Sequence, residues 1–304
     1  MVNRIKDLEN QMSPADTRDL NTGCPDGSNY TGMIRLKNRA LAAGSAGLTA
    51  AQALPASQRV VYLKERNLNM LKNDLILRNP LRFMQTDANE ATLPAGGFGA
   101  VLARAGVGKT ALLVQVSLNS LLKGRNVLHI SLDDPVNKVN LWYSEVFSHI
   151  AKQYNVKQAN ELWETLLPHR FIMTFRVEGF SVPKLDERLT DLIEQNIFRP
   201  HMIIIDGLPF DDNVRAPLTE LKDLAHRRGC HAWFTVRTHR HERPAESGVP
   251  SQLADIEDLF NVILCLNPEG KVIHVNVLKS KDIPNSDSGG LILDPSTMLI
   301  TEQP

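Results

Sequence analysis

The residues Ala103-Arg104-Ala105-Gly106-Val107-Gly108-Lys109-Thr110 combine residue types and spacing that suit a phosphate group. A small residue is followed by four others, then Gly-Lys and a hydroxyl side chain. Ala103 stands where the stricter form of this pattern has glycine. Glycines let the backbone N–H groups of Arg104, Ala105, Gly106, Val107 and Gly108 turn inward around an anion. Lys109 can reach β- and γ-phosphates, which makes it a binding group and a candidate catalytic cation. The Thr110 hydroxyl can ligate Mg²⁺. ATP with Mg²⁺ is the ligand that would use all of these groups.

Such a loop needs a metal partner and a group that positions the attacking water. His201-Met202-Ile203-Ile204-Ile205-Asp206 is an apolar run ending in an acid, the Walker B arrangement. It would place Asp206 at the carboxyl edge of a sheet, where a phosphate loop also sits. Asp206 is therefore the second candidate metal ligand beside Thr110. Ile130-Ser131-Leu132-Asp133-Asp134-Pro135 supplies a second acidic site. Its strand should lie near the phosphate-loop strand, with its end facing the γ-phosphate. Asp133 and Asp134 are both candidate general bases; Asp-Pro also suits a helix cap, so one can cap while the other catalyses.

The elements that must position these groups follow from periodicity. A short apolar run over 98–102 precedes the loop. An apolar helix over 111–122 follows it, ending at Lys123-Gly124, a basic last turn and a glycine stop. Strands are expected over 100–102, 127–132, 171–175, 202–206, 232–236, 262–266 and 272–278. Helices are expected over 136–147, 183–196 and 218–228, with a helix-like stretch over 251–259. Strands alternating with helices argue for an α/β fold with a mostly parallel sheet and crossover helices. Composition changes near residue 90. Residues 1–90 read as a helical N-terminal segment and 91–304 as the domain that carries the loop. The N-terminal segment contains a short charged helix, a loop from 13 to 32, a basic helix over 33–43 and a longer helix over 57–77. That last helix stops before Asn79-Pro80 and has an apolar face that suits an oligomerisation arm. Residues 86–97 read as a linker.

The chain has 304 residues and a formal net charge of zero, which excludes a global basic field for nucleic acid. Any such contact must be a local patch. No apolar run approaches a membrane span, and the charged start lacks a signal-peptide core, so a cytoplasmic protein is expected. The three cysteines, Cys24, Cys230 and Cys265, fit neither a disulfide framework nor a zinc pattern.

Taken in order, the phosphate loop, the strand ending Ser131-Leu132-Asp133-Asp134-Pro135, the Ile203-Ile204-Ile205-Asp206 strand and Val277-Leu278-Lys279-Ser280-Lys281 resemble the RecA superfamily of ATPases. KaiC-like proteins and the ATPase domain of DnaB-type helicases are the most similar branches. The resemblance runs from about Leu93 to the C-terminus and implies a RecA-like core. In that family the second feature usually carries glutamate; aspartate here is one methylene shorter. Near the C-terminus the family places a Lys-x-Arg that reaches the nucleotide of the neighbouring subunit. Lys279 and Lys281 stand there in this chain, keeping the charge but not the planar fork of arginine. The resemblance thus implies a homo-oligomeric ring, a hexamer being one form it could take. The family's helicases carry a γ-phosphate-sensing glutamine on the strand over 232–236, where Val236 takes the equivalent place. The loop after that strand often faces the ring pore. Its Arg237, Arg240 and Arg243 suit single-stranded nucleic acid or a protein partner, although no aromatic residue is interleaved for stacking.

The expected function is an ATP-binding, ATP-hydrolysing protein that uses Mg-ATP to rearrange an oligomer or partner. Two alternatives stand beside it: a DNA-dependent ATPase of helicase or recombinase type, and a slow nucleotide-operated switch or autokinase.

Overall fold

The computed structural model describes residues 55–81, 93–211, 213–238, 249–280 and 290–302. The expected elements over 1–54 lie outside these residues, as do Cys24, Arg240, Arg243 and Lys281. The chain divides into two compact units, Met1–Glu65 and Arg66–Pro304. Helix α1 (Ala56–Arg78) begins in the first and continues in the second. It ends where the sequence places Asn79-Pro80, and the Asn79 side chain accepts a bond from the Leu81 N–H.

The second unit is built on nine strands among the described residues: β1 (Phe98–Ala103), β2 (Val127–Ser131), β3 (Arg170–Thr174), β4 (Met202–Asp206), β5 (His231–Arg237), β6 (Val262–Glu269), β7 (Val272–Lys279), β8 (Leu291–Leu293) and β9 (Ile300–Glu302). They form one sheet in the order β3-β2-β4-β5-β1-β6-β7-β8-β9. The first six strands in that order are parallel. From β6 through β9 the pairing is antiparallel. The expected α/β fold with a mostly parallel sheet is present, and the C-terminal meander is an addition to it. One expectation is corrected: β2 is not beside β1, because β4 and β5 lie between them.

The parallel strands are apolar on both sides because helices cover both faces. In β1, Phe98, Ala100 and Leu102 enter one core, and Val101 and Ala103 enter the other. The face that takes Val101 and Ala103 is covered by α2 (Lys109–Leu122), α3 (Val136–Gln153) and α4 (Ala159–Leu166). The opposite face is covered by α5 (Val182–Glu194) and α6 (Arg215–Arg228). Helix α4 is absent from the expected elements. It is a single eight-residue stretch that buries only Leu162 and Leu166, too short for a clear period. The expected helix-like stretch over 251–259 is two pieces, α7 (Ser251–Ala254) and a 3₁₀ turn at Glu257–Leu259.

Helix α2 carries the phosphate loop at its N-terminus and is buried from Ala111 to Leu122. A buried side chain ties it to the C-terminal meander. Gln115 donates from Nε2 to the Met298 carbonyl at 2.8 Å, and its Oε1 accepts from the Ile300 N–H at 2.8 Å. Both backbone groups find a partner in this one buried amide. Gln115→Leu should leave them buried without partners and destabilise the fold by about 1–3 kcal/mol. A drop in urea midpoint with an unchanged slope checks this; an unchanged midpoint would show that the clamp contributes nothing.

Candidate functional site

Parallel strands deliver their C-terminal residues to one edge of the sheet, and the candidate residues gather there. Strand β1 ends at Ala103, the loop follows, and α2 begins at Lys109. Gly108 is the N-cap of α2 with φ 108°, a conformation that L side chains rarely adopt. A Cβ there would also lie 2.7 Å from Leu293 Cδ2, so a larger residue would displace that methyl group as well. Arg104, Ala105 and Gly106 are exposed, and Val107 is half-buried. The N-terminal end of α2 points its free N–H groups and positive dipole end at the loop.

Lys109 folds back over the loop. Its Nζ donates to the Ala103 carbonyl at 3.1 Å and the Arg104 carbonyl at 3.0 Å. Partial burial lowers the pKa of this ammonium; Asp206 opposes that shift, Arg237 adds to it and Asp133 opposes it. Thr110 donates from Oγ1 to Asp206 Oδ2 at 2.8 Å. The hydroxyl after the lysine and the acid at the end of β4 are therefore in contact, as the paired candidates for a metal require. One hydroxyl and one carboxylate are hard oxygen donors. Mg²⁺ takes such a pair when phosphate oxygens and water complete its octahedral shell.

The acidic pair at the end of β2 divides its roles. The Leu132 N–H donates to the Asp206 carbonyl at 2.9 Å, which draws the β2 end toward β4. Asp134 is half-buried and held by local partners. Its N–H donates to Ser131 Oγ at 2.9 Å, and its Oδ1 accepts from Lys138 Nζ, in the first turn of α3, at 2.8 Å. Asp133 turns toward β4. Gly207 has φ 87°, and a Cβ there would lie 2.6 Å from Asp133 Oδ2. The positive φ favours glycine, and a side chain there would push the Asp133 carboxylate aside. Asp133 is exposed, yet its pKa is raised by partial desolvation and by the neighbouring Asp206 and Asp134, against the pull of Arg237 and Lys109.

Two residues join the site in ways the sequence did not indicate. Thr235, buried in β5, donates from Oγ1 to Asp206 Oδ1 at 2.6 Å and accepts from the Gly207 N–H at 3.0 Å. The incoming N–H leaves the hydroxyl hydrogen for the carboxylate. Val236, the expected counterpart of the sensing glutamine, is fully buried in the opposite core. The available signal was a hydroxyl inside an otherwise apolar strand. Arg237, assigned to a partner-binding loop, ends β5 in register with Ala103 and acts on both Lys109 and Asp133. It belongs to the rim of the phosphate loop.

Lys279 is elsewhere. Antiparallel β7 carries it past Ile263, near the opposite end of the sheet, where its Nζ donates to the Glu257 carbonyl at 2.7 Å. It does not approach its own chain's phosphate loop.

A family model described as "AAA domain" matches residues 85–241, just over half of the chain. The matched span includes the phosphate loop, the acidic pair, Asp206 and Arg237. No curated protein matches the chain. Among the described residues, no helix is long and apolar enough to cross a membrane.

The raised pKa of Asp133 has a consequence for stability. Its folded-state pKa lies above its unfolded value, so ionisation costs the folded state free energy. That cost is absent at pH below the unfolded pKa and complete above the folded one. Asp133→Asn removes it. The variant should melt above the parent at about pH 7 and show no gain at about pH 3. A variant less stable at neutral pH would contradict this reading of the carboxylate's surroundings.

Proposed function

The chain belongs to the AAA domain family, and from that footing we propose that it binds ATP with Mg²⁺ at the Ala103–Thr110 loop and hydrolyses the γ-phosphate. The observation that carries this reading is the contact of Thr110 with Asp206, which joins the loop and the strand-end acid into one metal-ready pair. Arg104 to Gly108 would cradle the phosphates with backbone N–H groups, and Lys109 would leave its carbonyl partners for the β- and γ-phosphates. Thr110 and Asp206 would hold Mg²⁺, which when bound neutralises phosphate charge. Thr235 keeps Asp206 oriented through its second oxygen. Asp133 is the proposed general base, since Asp134 is engaged by Lys138. A raised pKa brings a carboxylate closer to the ideal for accepting a proton near neutral pH. Arg237 would offset developing charge on the γ-phosphoryl group from within the same chain.

Lys109→Ala should lose ATP binding. Asp133→Asn should retain it and lose turnover by about 10²-fold or more. Tight binding in the first variant, or full turnover in the second, would overturn these roles.

We further propose that the chain acts as a homo-oligomer of RecA, KaiC or DnaB type, with ATP driving rearrangement of the assembly or of a partner. Lys279 and Lys281 would serve a neighbouring copy's nucleotide. The position of Lys279, remote from its own loop, supports this assignment. Light scattering with and without ATP tests it. A mass that rises with ATP, together with turnover that falls in Lys279→Ala, is expected. A strict monomer with full activity would remove the trans role.

A further inference from the structure

The phosphate loop is packed from outside as well as continued by its own helix. Gly108, at φ 108° and ψ 19°, is the N-cap of α2. Glycine reaches that conformation without steric cost, and it reaches many others as easily. Packing against it therefore decides how firmly the loop keeps its shape. Two side chains lie where a Gly108 side chain would go. A Cβ there would lie 2.7 Å from Leu293 Cδ2 and 3.4 Å from Met298 Sδ. Leu293 ends β8 and Met298 lies in the turn between β8 and β9, outside the span that the family model matches.

The turn that presents Met298 is strained and braced. Met298 has φ 57°, a left-handed backbone that a residue with a Cβ rarely adopts. The other non-glycine residues of positive φ among those described are Asn155 and Asn196. Asparagine tolerates that region, and each of the two follows the C-cap of a helix, where it is common. Met298 has neither excuse. Hydrogen bonds hold it there instead. The Met298 N–H donates to the Asp294 carbonyl at 2.7 Å, and the Asp294 N–H donates to the Leu299 carbonyl at 2.9 Å. The Asp294 carboxylate accepts from the Ser296 N–H and from Thr297 Oγ1, both at 2.9 Å. From α3, His149 Nδ1 donates to the Thr297 carbonyl at 2.7 Å. From α2, Gln115 holds the Met298 carbonyl and the Ile300 N–H, each at 2.8 Å. Helix α2 thus grips the turn about two helical turns beyond its N-cap, and the turn packs back on that N-cap. Strain that its surroundings over-determine, set beside a ligand loop, points to a geometric role there.

We propose that Met298 is a positioning residue for the nucleotide site. Its thioether, with the Leu293 methyl group, holds Gly108 in the conformation that turns the loop's N–H groups toward a phosphate. It acts through Gly108 and not on the nucleotide itself. The proposal rests on the reading of Ala103–Thr110 as the ATP loop. Donors held ready in place bind more tightly than donors that must be ordered on binding. Cradling N–H groups engage the phosphates in the ground state and the transition state alike, so the effect falls on affinity and not on turnover.

Met298→Gly and Met298→Gln, each in the full chain, are compared with the parent by ATP titration, steady-state hydrolysis and thermal melting without nucleotide. Met298→Gly relieves the backbone and removes the thioether. It should bind ATP about tenfold more weakly with kcat within about twofold of the parent. Its melting temperature should stay within about 3 °C. Met298→Gln, unbranched and of nearly the same length, should bind within about threefold of the parent. Parent-like affinity in Met298→Gly overturns the role, and a melting shift alone would leave only packing. A glutamine variant as weak as the glycine one also overturns it, because the loss then does not follow the side chain. A parent that binds no ATP overturns the reading of the loop, and this proposal with it.

Discussion

The carboxylate of Asp206 is the point on which the site depends. One oxygen accepts from Thr110 at the start of α2, and the other accepts from Thr235 at the end of β5. The backbone carbonyl of the same residue accepts from Leu132 at the end of β2. One residue thus sets the positions of the phosphate-loop helix, the strand beside the loop and the strand that bears the acidic pair. Hydrogen bonds to an ionised carboxylate are stronger than neutral ones and fix direction as well as distance. The sheet order makes this possible, because β4 lies between β2 and β5 while β5 adjoins β1. An acid on any other strand would meet fewer of these partners.

The approach of β2 to β4 creates a pair of neighbouring carboxylates, Asp133 and Asp206, without a direct bond between them. Their mutual repulsion is part of what raises the Asp133 pKa, and Lys109 and Arg237 limit the rise. Two carboxylates in different settings can then take different tasks: Asp206 is oriented by two hydroxyl donors, while Asp133 stays exposed. Gly207 at positive φ leaves room for the Asp133 carboxylate beside the end of β4.

Most of this site was legible in the sequence, and the reasons are local. The glycine spacing of the loop, the apolar run into Asp206 and the basic, glycine-ended helices are each signalled within a few residues. The family match over 85–241 bears out the coarse reading of a nucleotide-binding phosphate-loop domain. What escaped depends on pairing across the chain. Strand order placed Arg237 against Ala103, and nothing near Arg237 announces that neighbour. Thr235 reads as one residue of a buried strand until its partner on β4 is known. The strands β8 and β9 have three residues each, too few for alternation to show.

Strand direction separates the cations by place. A residue ending a parallel strand is delivered to the edge that holds the phosphate loop, and Arg237 is such a residue. A residue ending β7 is delivered toward the other edge, because β7 runs antiparallel to β6, which is itself parallel to β1. Lys279 therefore spends its ammonium on the Glu257 carbonyl rather than on its own loop. Among the described residues, Lys109 and Arg237 are the cations this chain places beside its own loop. Any role for Lys279 at a nucleotide requires a second copy to bring its own loop to that edge. The topology alone divides the cis cation from the trans candidate, before any assembly is considered.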